Sequence, residues 1–308
     1  MAKEKDLKKS FEKTMRKHKG NKKAQLATIV VFGLIAIVST IFGQDVIDTS
    51  NLNANGVIEV SYLDVGQGDA AYIKVNDMDI LIDSGSKSDV DKLMKQLEEK
   101  NIDDFEIVIA THPHEDHIGG MTKVLQTYKV ENFYMPKKEH STKVFENMIK
   151  EVEKQGLKAK VLKEGVKIDI GEGALLETFS PIQDSYDNLN NYSPIMKLTF
   201  GNKSFLFTGD AEKDIEAEVL SKYKDKLDSD VIKFGHHGSS TSSSQSFIEA
   251  VSPDYGIISC GVDNSYGHPH KEILKLIQDM NIEAYRTDTQ GQITVISDGN
   301  NIEIETEK

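Results

Sequence analysis

Three kinds of apolar run alternate along the chain. The first is continuous: residues 26–43 read LATIVVFGLIAIVSTIFG, eighteen positions without a charge. A helix that crosses a bilayer needs about 17–25 mostly apolar residues, so this run is just long enough. The second kind is short, with turn residues between the runs. Residues 57–63, 70–75, 78–83, 105–110, 132–135, 175–179, 196–200, 204–208, 231–234, 255–259 and 293–296 read as strands. The third repeats at helical spacing over 88–100, 141–153, 211–223, 244–251 and 271–280, with Ser88 as a candidate cap. Early strands follow one another as hairpins, and later ones alternate with helices. That order predicts sheets covered by helices, an α/β layered sandwich.

Charge divides the chain as well. Residues 1–23 hold nine lysines and Arg16 against Glu4, Asp6 and Glu12, a balance of +7. With −13 overall, the other 285 residues carry −20. A basic head before an apolar run stays in the cytoplasm and directs the chain beyond the run outward. The exit of the run, STIFG, lacks the small-residue pattern of a cleavage site, which favours an uncleaved anchor over a signal peptide. The expectation is a cytoplasmic tail (1–23), a transmembrane anchor (24–43), a linker (44–56) and one extracellular domain (57–308). That makes a single-pass protein of the cell membrane. The lone cysteine, Cys260, excludes an internal disulfide framework and a Cys-based zinc finger, and after an apolar strand it reads as core. The acid surplus of the body argues against a long nucleic-acid track, since Lys137, Lys138 and Lys143 form the only modest basic cluster near the early site loops.

The strand at 105–110 runs directly into Thr111-His112-Pro113-His114-Glu115-Asp116-His117. On extended backbone His112 and His114 point to one side, and Asp116 and His117 can fold back on the same point. Imidazole with carboxylate suits zinc and similar divalent ions. Nine histidines give such spacing by chance in only roughly 1% of chains of this length, so coincidence explains it poorly. Two later strands also end in candidate ligands: FLFTGD places Asp210, and VIKFGHHGS places His236 and His237. Alone, a Gly-Asp pair is more often a turn. Three such segments, each at a strand end, reinforce one another, because strand ends gather sites in layered α/β folds.

With these residues the chain resembles the metallo-β-lactamase fold hydrolases, and the wording is similar to their ComEC-like branch. The carrying motifs are LDVGQGDA (63–70), LIDSG (81–85), HPHEDH (112–117), NxS (Asn191, Ser193), FTGDAE (207–212), GHHGS (235–239) and SYGHPH (265–270). The resemblance spans about residues 58–296 and omits the multi-helix channel of ComEC proteins. It implies a four-layer αββα sandwich, preceded here by the one transmembrane helix. It implies metal ligands His112 and His114 for a first ion, and Asp116, His117 and His237 for a second, with Asp210 bridging. His237 is favoured as the ligand, and His236 as a phosphate-facing or supporting group. The family's further histidine between HxHxDH and TGD is missing, since that interval holds only His140. Water, the NxS segment or Glu212 would then complete the first site, or a single ion would bind.

The implied activity is hydrolysis by metal-activated water, with Asp116 or Asp210 orienting the attack and His236 beside the substrate. One or two ions of Zn or Mn, and no organic cofactor, are implied. Asp83 reads as a carboxylate that holds a ligand imidazole by its other N–H. Asp64, Gln67 and Asp69 are site-adjacent by resemblance, or ordinary turn residues. His268 and His270 stand near the substrate mouth by resemblance, or cap a helix. Ser239 and the serines through Ser246 read equally as a flexible loop or as donors to an anionic oxygen. The substrate implied is a phosphodiester, DNA as in ComEC-like domains. A phosphocholine or cell-wall polymer ester is the alternative, and a degenerate site would leave a binding protein.

Overall fold

The computed structural model describes residues 56–308. The anchor, the basic tail and all but the last position of the linker lie outside the described residues. Among the described residues no helix is long and apolar enough to cross a membrane.

Two sheets face each other. The larger holds β1 (Ile58–Tyr62), β2 (Ala71–Val75), β3 (Met78–Ile82), β4 (Asp104–Ile109), β5 (Lys129–Met135), β6 (Lys160–Val161), β14 (Ile293–Ser297) and β15 (Ile302–Thr306), in the order β15-β14-β1-β2-β3-β4-β5-β6. The second holds β7 (Lys167–Gly171), β8 (Ala174–Thr178), β9 (Met196–Phe200), β10 (Lys203–Phe207), β11 (Val231–Lys233), β12 (Tyr255–Ile258) and β13 (Glu283–Arg286), in the order β13-β12-β11-β10-β9-β8-β7. Each sheet joins an antiparallel part to a parallel one. In the first, β3, β4 and β5 are parallel; in the second, β10, β11, β12 and β13 are.

Strand periodicity builds the layers. Ile80, Ile82, Ile107 and Ile109 point inward and meet Phe205, Phe207, Val231 and Ile257 from the other sheet. Their neighbours point outward. Leu81 and Val108 pack with Leu93, Met121 and Met148 from helices Val90–Glu99, Met121–Thr127 and Lys143–Lys154. Leu206, Ile232 and Ile258 pack with Val219, Ile248 and Ile273 from helices Lys213–Tyr223, Gln245–Val251 and Lys271–Asp279. Successive side chains take opposite faces, so strands buried on both sides read as continuous apolar runs. Helix, sheet, sheet and helix make the expected four layers. Phe207 is 2% exposed and its ring lies 6.0 Å from that of Tyr62 across the central core. Truncating such a side chain to Ala costs about 3–5 kcal/mol. Cys260 is buried in the second outer core.

The five helices predicted from sequence are present with ends shifted by at most two residues, and Thr142 caps one of them by accepting from Phe145 N at 3.4 Å. The strands that the pattern did not predict are β6, β7, β13 and β15, and each is the outermost strand of its sheet. The short helices Glu115–Ile118 and Met121–Thr127 were not predicted either.

A candidate two-metal centre at the strand ends

The carboxyl ends of β4, β10 and β11 meet at one end of the sandwich. His112 and His114 leave β4 on extended backbone, and the helical turn Glu115–Ile118 then swings Asp116 and His117 back over them. Asp210 follows β10 through Gly209, where a φ of +50° and the 2.9 Å that would separate an added Cβ from Ser193 Cβ disfavour any side chain. His236 and His237 follow β11 with φ of 50° and 55°. Non-glycine residues rarely take this left-handed conformation, and it persists where the surroundings over-determine it. Here the residue after β12 supplies the constraint: His237 Nδ1 lies 3.0 Å from the Ser259 carbonyl.

The donors form two groups that share one carboxylate. His112, His114 and Asp210 make the first, while Asp116, His117, Asp210 and His237 make the second; within each, the donor atoms lie within 4.8 Å of one another. His117 Nε2 is 3.2 Å from Asp210 Oδ2, and His237 Nε2 is 3.3 Å from Asp116 Oδ2. Asp210 Oδ2 is also 3.7 Å from His112 Nε2 and from His237 Nε2. Three atoms of this cluster, His117 Nε2, His237 Nε2 and Asp210 Oδ1, are buried without a hydrogen-bond partner. A buried unsatisfied polar group is expensive, and a divalent ion among these nitrogens and oxygens would satisfy all three. The residues therefore fit the metal that the chemistry implies.

Behind the donors a second set fixes which nitrogen faces the centre. His117 Nδ1–H donates to Asp83 Oδ2 at 2.8 Å. Thr111 donates to the same carboxylate twice, from N at 2.8 Å and from Oγ1 at 2.6 Å, while His112 Nδ1 stands 3.2 Å from Thr111 Oγ1. Asp83 thus sets the tautomer of His117 directly and that of His112 through Thr111, leaving both Nε2 atoms toward the centre. His237 donates its Nδ1–H to Ser259 O, beside Asp69 Oδ1 at 3.2 Å. Burial alone would push these imidazoles down. For His117 the charges of Asp210 and Asp83 win and hold it well above its usual value; for His237, Asp210 and Asp69 raise it to about 10. His112 goes the other way, lowered by burial and by His117. Burial would raise Asp210 and Asp116, but the imidazoles around them hold both carboxyls down.

The remaining predicted residues divide. Ser193 Oγ sits 3.2 Å from His112 Nδ1 and accepts from Asp210 N at 3.1 Å, which puts the NxS serine against the first group. Asn191 Oδ1 accepts from Glu212 N, and the Glu212 carboxylate is held by Asn188 and Asn190 and lies 3.9 Å from His236 Nδ1. Glu212 therefore flanks His236 and does not enter either donor group. His236 is partly exposed, with Nε2 3.6 Å from Asp210 Oδ2 and Nδ1 against Thr241. His268 lies beside His236 and His237, pushed down to about 4 by burial and by those imidazoles, and its Nδ1 faces Gln67 at 3.4 Å.

Asp64 is not brought to the centre. Its carboxylate faces Lys92 at 2.5 Å and accepts from Gly66 N, as a turn residue does, so the site-adjacent expectation is corrected. The serine segment is built into the fold instead of looping freely. Ser239, Ser242 and Ser243 are buried, Gly235 N donates to Ser243 Oγ, and Ser244 N donates to Glu216 at 2.8 Å. His270 accepts from Ser240 N. His140 stands outside the cluster, against Thr142. Sequence reading missed Thr111 and Lys233. The signal for Lys233 was present: a lysine inside VIKF, where both neighbours are core.

Comparison with known proteins agrees with this geometry. Residues 63–262 match the family model described as the metallo-beta-lactamase superfamily. The chain belongs to the metallo-β-lactamase superfamily. Its relatives place it in the ComEC-like branch. It is 31% identical over 253 residues to ComE operon protein 3 of Bacillus subtilis, covering 76% of this chain and 32% of that one. It is 34% identical over 122 residues to Competence protein ComA of Neisseria gonorrhoeae, covering 40% and 18%. The chain thus spans about a third or less of the length of these relatives. Among solved structures, the metallo-beta-lactamase fold protein YhfI from Bacillus subtilis superposes with a TM-score of 0.52 at 13% identity, over 81% of this chain and 100% of that one.

Proposed function

We propose that this metal-dependent hydrolase is a phosphodiesterase that acts on DNA outside the cell membrane, held there by the apolar segment at 26–43. The observation that carries it is Asp210 shared between two donor groups, which together could hold two ions. Divalent ions held by His112, His114 and Asp210 and by Asp116, His117, Asp210 and His237 would supply Lewis acidity toward a phosphoryl oxygen and toward water, the chemistry that phosphodiester hydrolysis needs. Asp116 and Asp210 are the only carboxylates in the two groups, so a doubly loaded centre would be cationic and would favour an anionic ester. Asp210 or Asp116 orients the attacking water. His236, its Nε2 toward the centre and its Nδ1 held by Thr241, is placed to donate to a substrate oxygen. The similarity to competence proteins supports DNA as the ester.

One observation favours a smaller ester, such as phosphocholine or a wall-polymer phosphodiester: residues beyond 23 carry −20, a poor surface for tracking a long polyanion. The purified full-length chain, loaded with Mn²⁺ or Zn²⁺, is assayed on single-stranded DNA and on bis-p-nitrophenyl phosphate. Cleavage of both supports DNA; cleavage of the small ester alone selects the second reading. His114→Ala should abolish either activity, and activity surviving it would sink the metal mechanism. Protease added to intact cells should degrade the domain if it is extracellular; protection until lysis reverses the topology.

A further inference from the structure

Behind the metal centre, between the sheets, lies a small cavity of about 10 Å³ whose lining includes Tyr62, Asp69, Asp83 and Lys233. Two of its lining residues carry buried polar atoms without a partner, Tyr62 Oη and Asp69 Oδ1. Lys233 stands in β11 with its side chain 5% exposed, its Nζ 2.6 Å from Asp69 Oδ2 and donating to the Phe234 carbonyl at 3.2 Å. A buried ion pair adds little stability over apolar residues of the same volume, so stability does not account for a lysine here. Its placement does. Asp69 lies between two ligand imidazoles: Oδ1 is 3.2 Å from His237 Nδ1, and Oδ2 is 3.9 Å from His117 Nδ1. By capturing Oδ2, Lys233 leaves Asp83 as the partner of His117 and turns Oδ1 toward His237.

We propose that Lys233 is a positioning residue of the metal centre: it clamps Asp69 behind His237, and one buried water shared by Tyr62 Oη and Asp69 Oδ1 completes the clamp. The cavity is about one water in size, and it offers the two to four polar partners that a buried water needs. The proposal rests on the two-ion reading above. Groups standing behind metal ligands typically change affinity about 10–100-fold when removed. Here the change falls on one ion, because His237 serves only the second donor group.

The test counts ions and their affinities in the full-length chain, stripped with chelator and titrated with Zn²⁺ against a chromogenic competitor. The wild-type chain should take up two ions. Lys233→Met should weaken one of them about 10–100-fold and leave the other unchanged. A purely structural lysine would weaken both together or neither, and either result overturns the proposal. Because Lys233→Met strands a buried carboxylate and puts folding at risk, Asp69→Asn/Lys233→Met, which carries neither charge, is measured alongside. It should show the same selective loss, and two ions bound at wild-type affinity would overturn the clamp. A wild-type chain that takes up no ion overturns the two-ion reading itself, an outcome distinct from a wild-type chain with two ions and a silent Lys233→Met.

Discussion

The two donor groups share Asp210 but are built differently. The second has four donors, three of them buried; the Asp83 carboxylate accepts from His117, while His237 donates to the Ser259 carbonyl with Asp69 3.2 Å away. The first has three donors, with His114 only partly buried, and His112 is backed by the hydroxyls of Thr111 and Ser193. A charged acceptor holds an imidazole more firmly than a hydroxyl does. The second group is therefore expected to be the more rigid and tighter-binding half of the centre, and the first the half where an ion would exchange. Ser193 and Thr111 thus back the first group with hydroxyls alone, which is why the difference falls on this side.

Removing what the groups share should erase the difference. Asp210→Ala is expected to abolish uptake of both ions and to cut hydrolysis by about 10³-fold or more, the several kcal/mol that a metal contributes. Metal analysis beside the rate measurement checks it, and one ion still bound tightly would show that Asp210 does not bridge. Acidity separates the groups next. In the metal-free chain His237, raised to about 10, must release a proton to ligate, so the second ion's affinity should climb from pH 6 toward 10 with proton release. His112, lowered by burial, is already neutral there, and its group should respond less. Stability responds with the opposite sign. A raised imidazole stabilises the metal-free fold fully below its unfolded value of about 6.5 and loses that contribution as pH rises through about 10. Melting of the metal-free chain should fall over that window, and saturating Zn²⁺ should remove the fall. A smaller change tests the backing carboxylate. Asp83→Asn should weaken the second ion about 10–100-fold through His117, and the first by less, because His112 reaches Asp83 only through Thr111.

The sequence made the same distinction between rigid and open parts. Strands buried on both faces, such as β4 and β10, are continuous apolar runs and were legible. The strands that escaped, β6, β7, β13 and β15, are all sheet edges, where one side meets solvent and short, charged stretches such as EAYR carry little pattern. In the site, the histidines and Asp210 announced themselves by type and by position at strand ends. Thr111 did not, because a hydroxyl between a strand and a motif has no distinctive spacing, and only its contact with Asp83 gives it a role. Asp64 misled in the other direction. It sits in the same turn as Asp69, yet the two carboxylates point to opposite neighbours, Lys92 and Lys233, and residue type cannot encode that choice.

Ser193 is where the comparison is most finely poised. Its Oγ accepts from the Asp210 amide and touches His112 Nδ1, so it braces both the shared ligand and the weaker group. Thr111 Oγ1 lies equally near His112 Nδ1, at 3.2 Å, and can hold the ring alone. What Ser193→Ala removes is then about one net hydrogen bond, roughly 0.5–1.5 kcal/mol, or a few-fold to about tenfold in affinity. The loss should fall on the first ion, because the second group keeps four donors and the Asp83 carboxylate behind His117. Stepwise titration of Ser193→Ala with Zn²⁺ resolves the two affinities. If the second ion suffers more, the Asp210 amide contact is what matters, and the asymmetry between the groups comes from the bridging carboxylate and not from the imidazoles.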